Sequence, residues 1–363
     1  MIKERNYGID LLRIVSMIMV VTLHIMNAGG VLGATERMSA KYELASLLQI
    51  MTYCAVNCYA LISGYVGVNS KFKISNILFL WLQVLFYTIG FTALFFFLKP
   101  EVVGVKEIIY AFFPFATKQY WYISSYFICF LFMPFLNLAV QKLGKKQLGI
   151  IIIGLIISCS ILPTVFNIDF LGLKNGYSAI WLMILYVFGA YIKKYDVGAK
   201  CSSLIYFLIY LVAIGITWFS RYVENRYPSE IIKDFCGKDI LINYTSITIL
   251  AAGIALLLCF ANMRFRFGKG LIGFLSPYAF GVYLVHTNPL IWNNVFNKSF
   301  VWIAEYGILK MVGLILASIL IVYICCTVLD MFRGLVFKIL HIKKLTACID
   351  RKIGFLNQNN DGE

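Results

Sequence analysis

Charge is what this sequence has least of. Asp, Glu, Lys and Arg make up 13% of 363 residues, and only 17 residues are acidic. A soluble domain of this length needs a charged surface, so that class is excluded. Histidine is scarcer still, with three residues. The motifs of soluble enzymes are missing too: there is no G-x-S-x-G elbow, no phosphate-binding loop, no dinucleotide-binding glycine pattern and no zinc spacing. No internal repeat is visible and no soluble domain interrupts the chain. The ten cysteines form no disulfide framework. Cys54, Cys58, Cys129, Cys159, Cys201, Cys259, Cys325 and Cys326 belong with the apolar runs, and only Cys236 falls in an expected outer loop. They read as small apolar packing residues. Cys54 and Cys58 are four apart, but neither His nor carboxylate accompanies them, so no metal is expected.

What is present is apolar. Hydrophobic residues make up 61% of the chain, and the mean hydropathy is +0.83. That combination describes an all-α polytopic membrane protein. Ten stretches approach the length of a bilayer span: 8–28, 45–67, 76–98, 120–141, 147–164, 178–193, 203–220, 241–262, 271–292 and 308–332. Those at 147–164 and 178–193 are short. The first is too long and too polar, with Arg13 and His24, for a cleaved signal peptide. A single transmembrane domain is expected over 1–342, followed by a polar, frayed cytoplasmic tail over 343–363.

The net charge of +15 needs no nucleic acid to explain it, because basic residues concentrate on cytoplasmic loops. Lys3 and Arg5, Lys71 and Lys73, Lys142, Lys145 and Lys146, and Lys193, Lys194 and Lys200 mark alternate loops. Arg264, Arg266 and Lys269 continue the alternation, and the basic C-terminal segment completes it. Both termini are therefore expected in the cytoplasm, in a multi-pass protein of the plasma membrane surrounded by lipid. With this orientation Arg13 lies near the inner end of the first helix, and His24 and His286 both reach the outer half from different helices. His341 falls in the basic tail and reads as interfacial.

Four constellations could carry chemistry. Arg13 and His24 are eleven residues apart, about three turns, so they share one helix face about 16 Å apart along its axis. Asp10 stands three residues before Arg13 and can pair with it. A cation and an imidazole inside a span are costly and mark a functional site by default; snorkelling and an interhelical hydrogen bond are the structural alternative. Next, Ser63-Gly64-Tyr65 precedes Lys71 and Lys73. The Ser-Gly pair permits close helix approach, and the lysines are either topology signals or a phosphate-binding cluster. Third, Trp121 and Tyr122 open a span, as an aromatic belt or a platform for a sugar ring. Fourth, Tyr283, His286, Asn288 and Pro289 close a span at its outer end.

These motifs resemble, in order and across almost the whole chain, the integral-membrane acyltransferases of the acyltransferase-3 type. In that family an Arg and a His separated by ten residues mark the first helix, here Arg13 and His24. A Ser-Gly-aromatic motif, a spaced basic pair, a Trp-Tyr motif and a late Gly-Ile-Tyr-Leu-Ile-His element follow. Here they are Ser63-Gly64-Tyr65, Lys71 and Lys73, Trp121-Tyr122, and Gly281 to His286. The basic pair departs from the usual Arg, keeping charge but losing the planar fork. The His-x-Asn-Pro continuation and the Trp-Tyr element with Pro134-Phe135-Leu136-Asn137 resemble members that O-acetylate cell-surface polysaccharides.

The resemblance implies an O-acetyltransferase using acetyl-CoA as co-substrate. Arg13, Ser63, Lys71 and Lys73 would bind the acyl-CoA. His24 would act as general base or as a transiently acetylated nucleophile. Trp121, Tyr122, Tyr283, His286 and Asn288 would face the acceptor, a surface polysaccharide or lipid-linked glycan. Two other classes remain open on the residues alone. A transporter or flippase for a small polar or lipid-linked solute would also use intramembrane Arg and His. A sensory or scaffold module would not need His24.

Overall fold

The computed structural model describes residues 5–169, 171–229 and 239–350. Lys3, Cys236 and residues 351–363, which entered the charge, cysteine and tail readings, lie outside them. The protein is 77% helix, with no strand among the described residues. Seven helical segments are long and apolar enough to cross a membrane, and an eighth is the pair Lys269–His286 and Pro289–Glu305, bent by 57°. The two other expected spans hold helices of 16 and 15 residues, Ala179–Lys194 and Ile247–Ala261. At 1.5 Å per residue these are about 24 and 22 Å long, short of a hydrocarbon core of about 30 Å. Both pack against protein along much of their length, so lipid does not set their limits.

Helix α1 (Tyr7–Met26) occupies the centre, and 72% of its apolar window is buried. Asn6 caps it, accepting from the Gly8 and Ile9 N–H groups, and its own amide donates to the Ala261 carbonyl. Helices α2 (Ala40–Thr52) and α3 (Ala55–Gly67) form one segment, equally buried. Helices α4 (Ile74–Leu98), α5 (Val105–Phe112), α6 (Trp121–Lys142) and α7 (Lys145–Ile156), with its continuation α8 (Leu162–Phe166), follow. The α6 window and the span formed by α7 and α8 are only 17% buried, so they present apolar sides outward. Helices α9 (Ala179–Lys194), α10 (Ser203–Arg226), α11 (Ile247–Ala261), α12 (Lys269–Leu275), α13 (Ala279–His286), α14 (Pro289–Ile291) and α15 (Ile308–Ile339) complete the bundle. Helix α1 touches α2, α3, α11, α12, α13 and α15, so its polar residues face neighbours on every side.

The Ser-Gly motif does what its small side chains allow. A Cβ on Gly64 would stand 1.8 Å from the Tyr186 carbonyl oxygen, and one on Gly189 would stand 2.0 Å from that of Leu61. Helices α3 and α9 therefore cross backbone on backbone. Cys54, Cys58, Cys129, Cys159, Cys259 and Cys326 are buried free thiols, whereas Cys201, Cys325 and Cys348 are exposed.

One expectation needs correcting. Residues 342–350 are helical rather than frayed. The Asp350 carboxylate accepts from the Ser75 N–H, at 3.0 Å, and from the Ser75 hydroxyl. Ser75 lies in the first turn of α4, whose amide groups lack intrahelical partners. These hydrogen bonds hold the Asp350 carboxyl below its usual range.

Candidate functional site

Two adjoining voids run along α1. The wider, of about 700 Å³, lies at the Arg13 end and is lined by Arg13, Ser63, Lys71, Gln83 and Asn137 among others. The narrower, of about 40 Å³, is lined by His24, Trp121, Tyr122, Tyr244 and Tyr283. Tyr59, Tyr122 and Phe280 line both, so the two spaces share a wall at the level between Arg13 and His24. The helix register expected from sequence thus turns Arg13 to one void and His24 to its neighbour.

At the wide end Arg13 Nη1 donates to Asp10 Oδ1 at 2.7 Å, with a third of its side chain accessible. The same carboxylate pairs with Arg5 and accepts from the Ser276 hydroxyl. One buried anion shared by two guanidinium groups leaves the cluster net cationic. Lys71 lines the void, whereas Lys73 does not and is exposed at the start of α4. The Ser63 hydroxyl lies in the wall, donating to the Tyr59 carbonyl at 2.9 Å, with the Tyr126 hydroxyl 3.3 Å away and free to donate to it. Pro134, inside α6, borders the same space. It removes one helix hydrogen bond there.

At the narrow end His24 Nδ1 lies 3.0 Å from His286 Nε2. The two imidazoles expected at equal depth are in direct contact. His24 also stands edge-on to Trp292, with ring centres 4.9 Å apart. Trp292 belongs to a π-helical turn, Trp292–Phe296, in which Trp292 and Phe296 stack within 6° of parallel. Such turns re-aim side chains and recur at functional sites. His286 is 1% exposed, and its Nδ1 lies 2.6 Å from the Val282 carbonyl oxygen.

The other outer residues divide by what they touch. Trp121 packs on Tyr177 with centres 4.5 Å apart and stacks on Tyr244. Three successive left-handed residues, Lys174, Asn175 and Gly176, bring Tyr177 there. Tyr122 sits among Tyr59, Trp121, Tyr126 and Tyr283, and its hydroxyl is buried with no hydrogen-bond partner among the described residues. Asn288 is occupied internally: its amide donates to the Tyr120 hydroxyl at 3.0 Å, and its oxygen accepts from the Leu290 N–H at 3.1 Å. It lines neither void along α1.

Sequence reasoning missed Tyr59, Tyr126, Tyr244 and Trp292. The available signal was weak. Tyr59 lies four residues before Ser63, on the same face of α3, but aromatic residues are common throughout this chain.

A protein-family model described as an acyltransferase domain matches residues 6–330. No curated protein and no solved structure matches the chain. The match takes in Arg13, His24, Lys71, Trp121, Tyr122 and Tyr283, which line the two voids, and His286 behind them.

Proposed function

The chain belongs to the acyltransferase-3 family of integral-membrane enzymes, and from that premise we propose that it carries an acetyl group from cytoplasmic acetyl-CoA to a hydroxyl of an extracytoplasmic cell-surface glycan. On this reading the positive-inside bias argues for a cytoplasmic Arg13 end and cytoplasmic termini, with ten spans crossing the plasma membrane.

The observation that supports this reading most is the pair of voids with a common wall. At the wide end Arg13 and Lys71 offer cations to nucleotide phosphates, Lys73 adds charge at the mouth, and Ser63 lies in the wall. The narrow end, about 40 Å³, has no room for a nucleotide but suits the tip of an unbranched arm. The thioester is therefore the part of acetyl-CoA that reaches His24. The rise of about 16 Å from Arg13 to His24 is comparable with the length of that arm.

The acceptor oxygen attacks the thioester carbonyl carbon while the unprotonated nitrogen of His24 removes the hydroxyl proton. The C–S bond then breaks, and the imidazolium returns the proton to the departing sulfur. The products are an acetyl ester and free CoA. A transient acetyl-His24 is the alternative route to the same products. Trp121, Tyr122 and Tyr283 line the narrow void beside His24 and form the side from which the acceptor hydroxyl approaches, with His286 and Asn288 behind them.

Purified protein incubated with radiolabelled acetyl-CoA and candidate polysaccharides tests the proposal. Wild type is expected to label the glycan. His24→Ala, expressed and folded in the membrane, is expected to lose at least about 10²-fold in rate. Full activity in that variant removes His24 from the mechanism.

A further inference from the structure

With both rings neutral, the contacts of His286 admit one arrangement of ring protons. A carbonyl oxygen only accepts, so the 2.6 Å contact with Val282 requires the proton on His286 Nδ1. In a neutral His286, Nε2 then carries the lone pair. That nitrogen lies 3.0 Å from His24 Nδ1, and a hydrogen bond between two ring nitrogens needs one donor. His24 Nδ1 must supply it. A neutral His24 protonated on Nδ1 has its lone pair on Nε2, and Nε2 makes no hydrogen bond among the described residues.

We propose that His286 is a positioning residue which fixes the tautomer of His24, leaving Nε2 as the free base. This rests on the reading of His24 as general base and adds what sets its protonation pattern. A neutral imidazole can carry its proton on either nitrogen, and the partner of one nitrogen decides the state of the other. Serine hydrolases give that task to a carboxylate. Here a neutral ring does it, so no second charge has to be buried among apolar helices. Among the described residues no carboxylate contacts either ring.

The arrangement survives the reaction step. When His24 Nε2 takes the hydroxyl proton, both of its nitrogens carry hydrogen. Nδ1–H still faces the His286 lone pair, and no proton has to pass between the rings. The Val282 carbonyl, one turn earlier on α13, holds the far side of His286 throughout.

The test uses the full chain labelled with ¹⁵N-histidine. Its three histidines give few enough ring signals to assign with His24→Ala and His286→Gln. The expected spectrum shows His24 protonated on Nδ1 and bare on Nε2, with coupling across the N–H···N bond. His24 protonated on Nε2 overturns the proposal. Kinetics supply the second reading. His286→Leu removes the acceptor and is expected to lower kcat about 100-fold while leaving KM for acetyl-CoA within about twofold. His286→Gln places an amide oxygen near the same point and is expected to recover about tenfold of that loss. Wild-type kcat in His286→Leu overturns the proposal. The tautomer is read without turnover, so its failure is distinct from an active His24→Ala, which would defeat the base instead.

Discussion

The Tyr59 hydroxyl donates to the carbonyl oxygen of Arg13 at 2.7 Å. The bond ties α3 to α1 beside the wall that the two voids share, and the ring of Tyr59 lines both. A bulkier ring should obstruct the passage of a thin arm. Tyr59→Trp is expected to lower kcat about tenfold or more by holding the thioester short of His24. CoA binding, which depends on the wide void, should change by less than about threefold. Equilibrium binding of CoA, measured alongside turnover, separates the two.

The lysines are expected to behave differently. Lys71 lines the wide void and Lys73 does not. A hydrogen bond to a charged group contributes about 1.5–3 kcal/mol. Lys71→Ala should therefore raise KM for acetyl-CoA about tenfold or more, with recovery in Lys71→Arg, while Lys73→Ala should change it by about twofold. No change in KM with either substitution would return both residues to the role of topology signals.

Tyr122 carries a buried hydroxyl without a partner among the described residues. Removing an unsatisfied polar group should not destabilise the resting protein, and it can gain about 1 kcal/mol. Tyr122 lines both voids, so a substrate oxygen entering the space beside it can satisfy that hydroxyl. Tyr122→Phe is thus expected to keep or raise the melting temperature while lowering kcat about tenfold or more. A fall in both would mean that the hydroxyl supports the fold.

Gly64 and Gly90 should respond in opposite directions to alanine. At Gly64 the new Cβ would meet the Tyr186 backbone at 1.8 Å, whereas at Gly90 it would meet nothing within 4 Å. Gly64→Ala forces α3 and α9 apart and should cost about 1–3 kcal/mol or more. Gly90→Ala, inside α4, should gain about 0.5–1 kcal/mol from helix propensity. Thermal unfolding in detergent reads both.

Periodicity and charge made much of this legible in sequence. The eleven-residue spacing of Arg13 and His24 specifies a shared helix face whatever surrounds it, and the voids lie on that face. Ser63-Gly64 signalled a close helix crossing because only a missing Cβ permits one. The depths of His24 and His286 followed from helix rise. Their contact did not, because it depends on how α13 packs against α1, which no local pattern encodes. The same applies to Asn288, whose side chain is spent on Tyr120 and Leu290, and to the Tyr59 bridge. The helix over 342–350 was hidden because its apolar residues, Ile342, Leu345 and Ile349, form a pattern too short to read as an element, and its anchor, the Asp350 contact with Ser75, joins residues 275 apart. Asp330 and Arg333 read as the end of a span and the start of a basic tail. They form a buried pair at 2.8 Å, with the Asp330 side chain filling the space beside Gly281.

Sidedness of transfer tests the central claim most directly. The protein is placed in sealed vesicles with labelled acetyl-CoA on the side of the Arg13 end and polysaccharide acceptor only on the other. The account predicts label in the polysaccharide, with free CoA left on the donor side, and no label with His24→Ala. Labelling only when donor and acceptor share the Arg13 side, or undiminished labelling with His24→Ala, would contradict it.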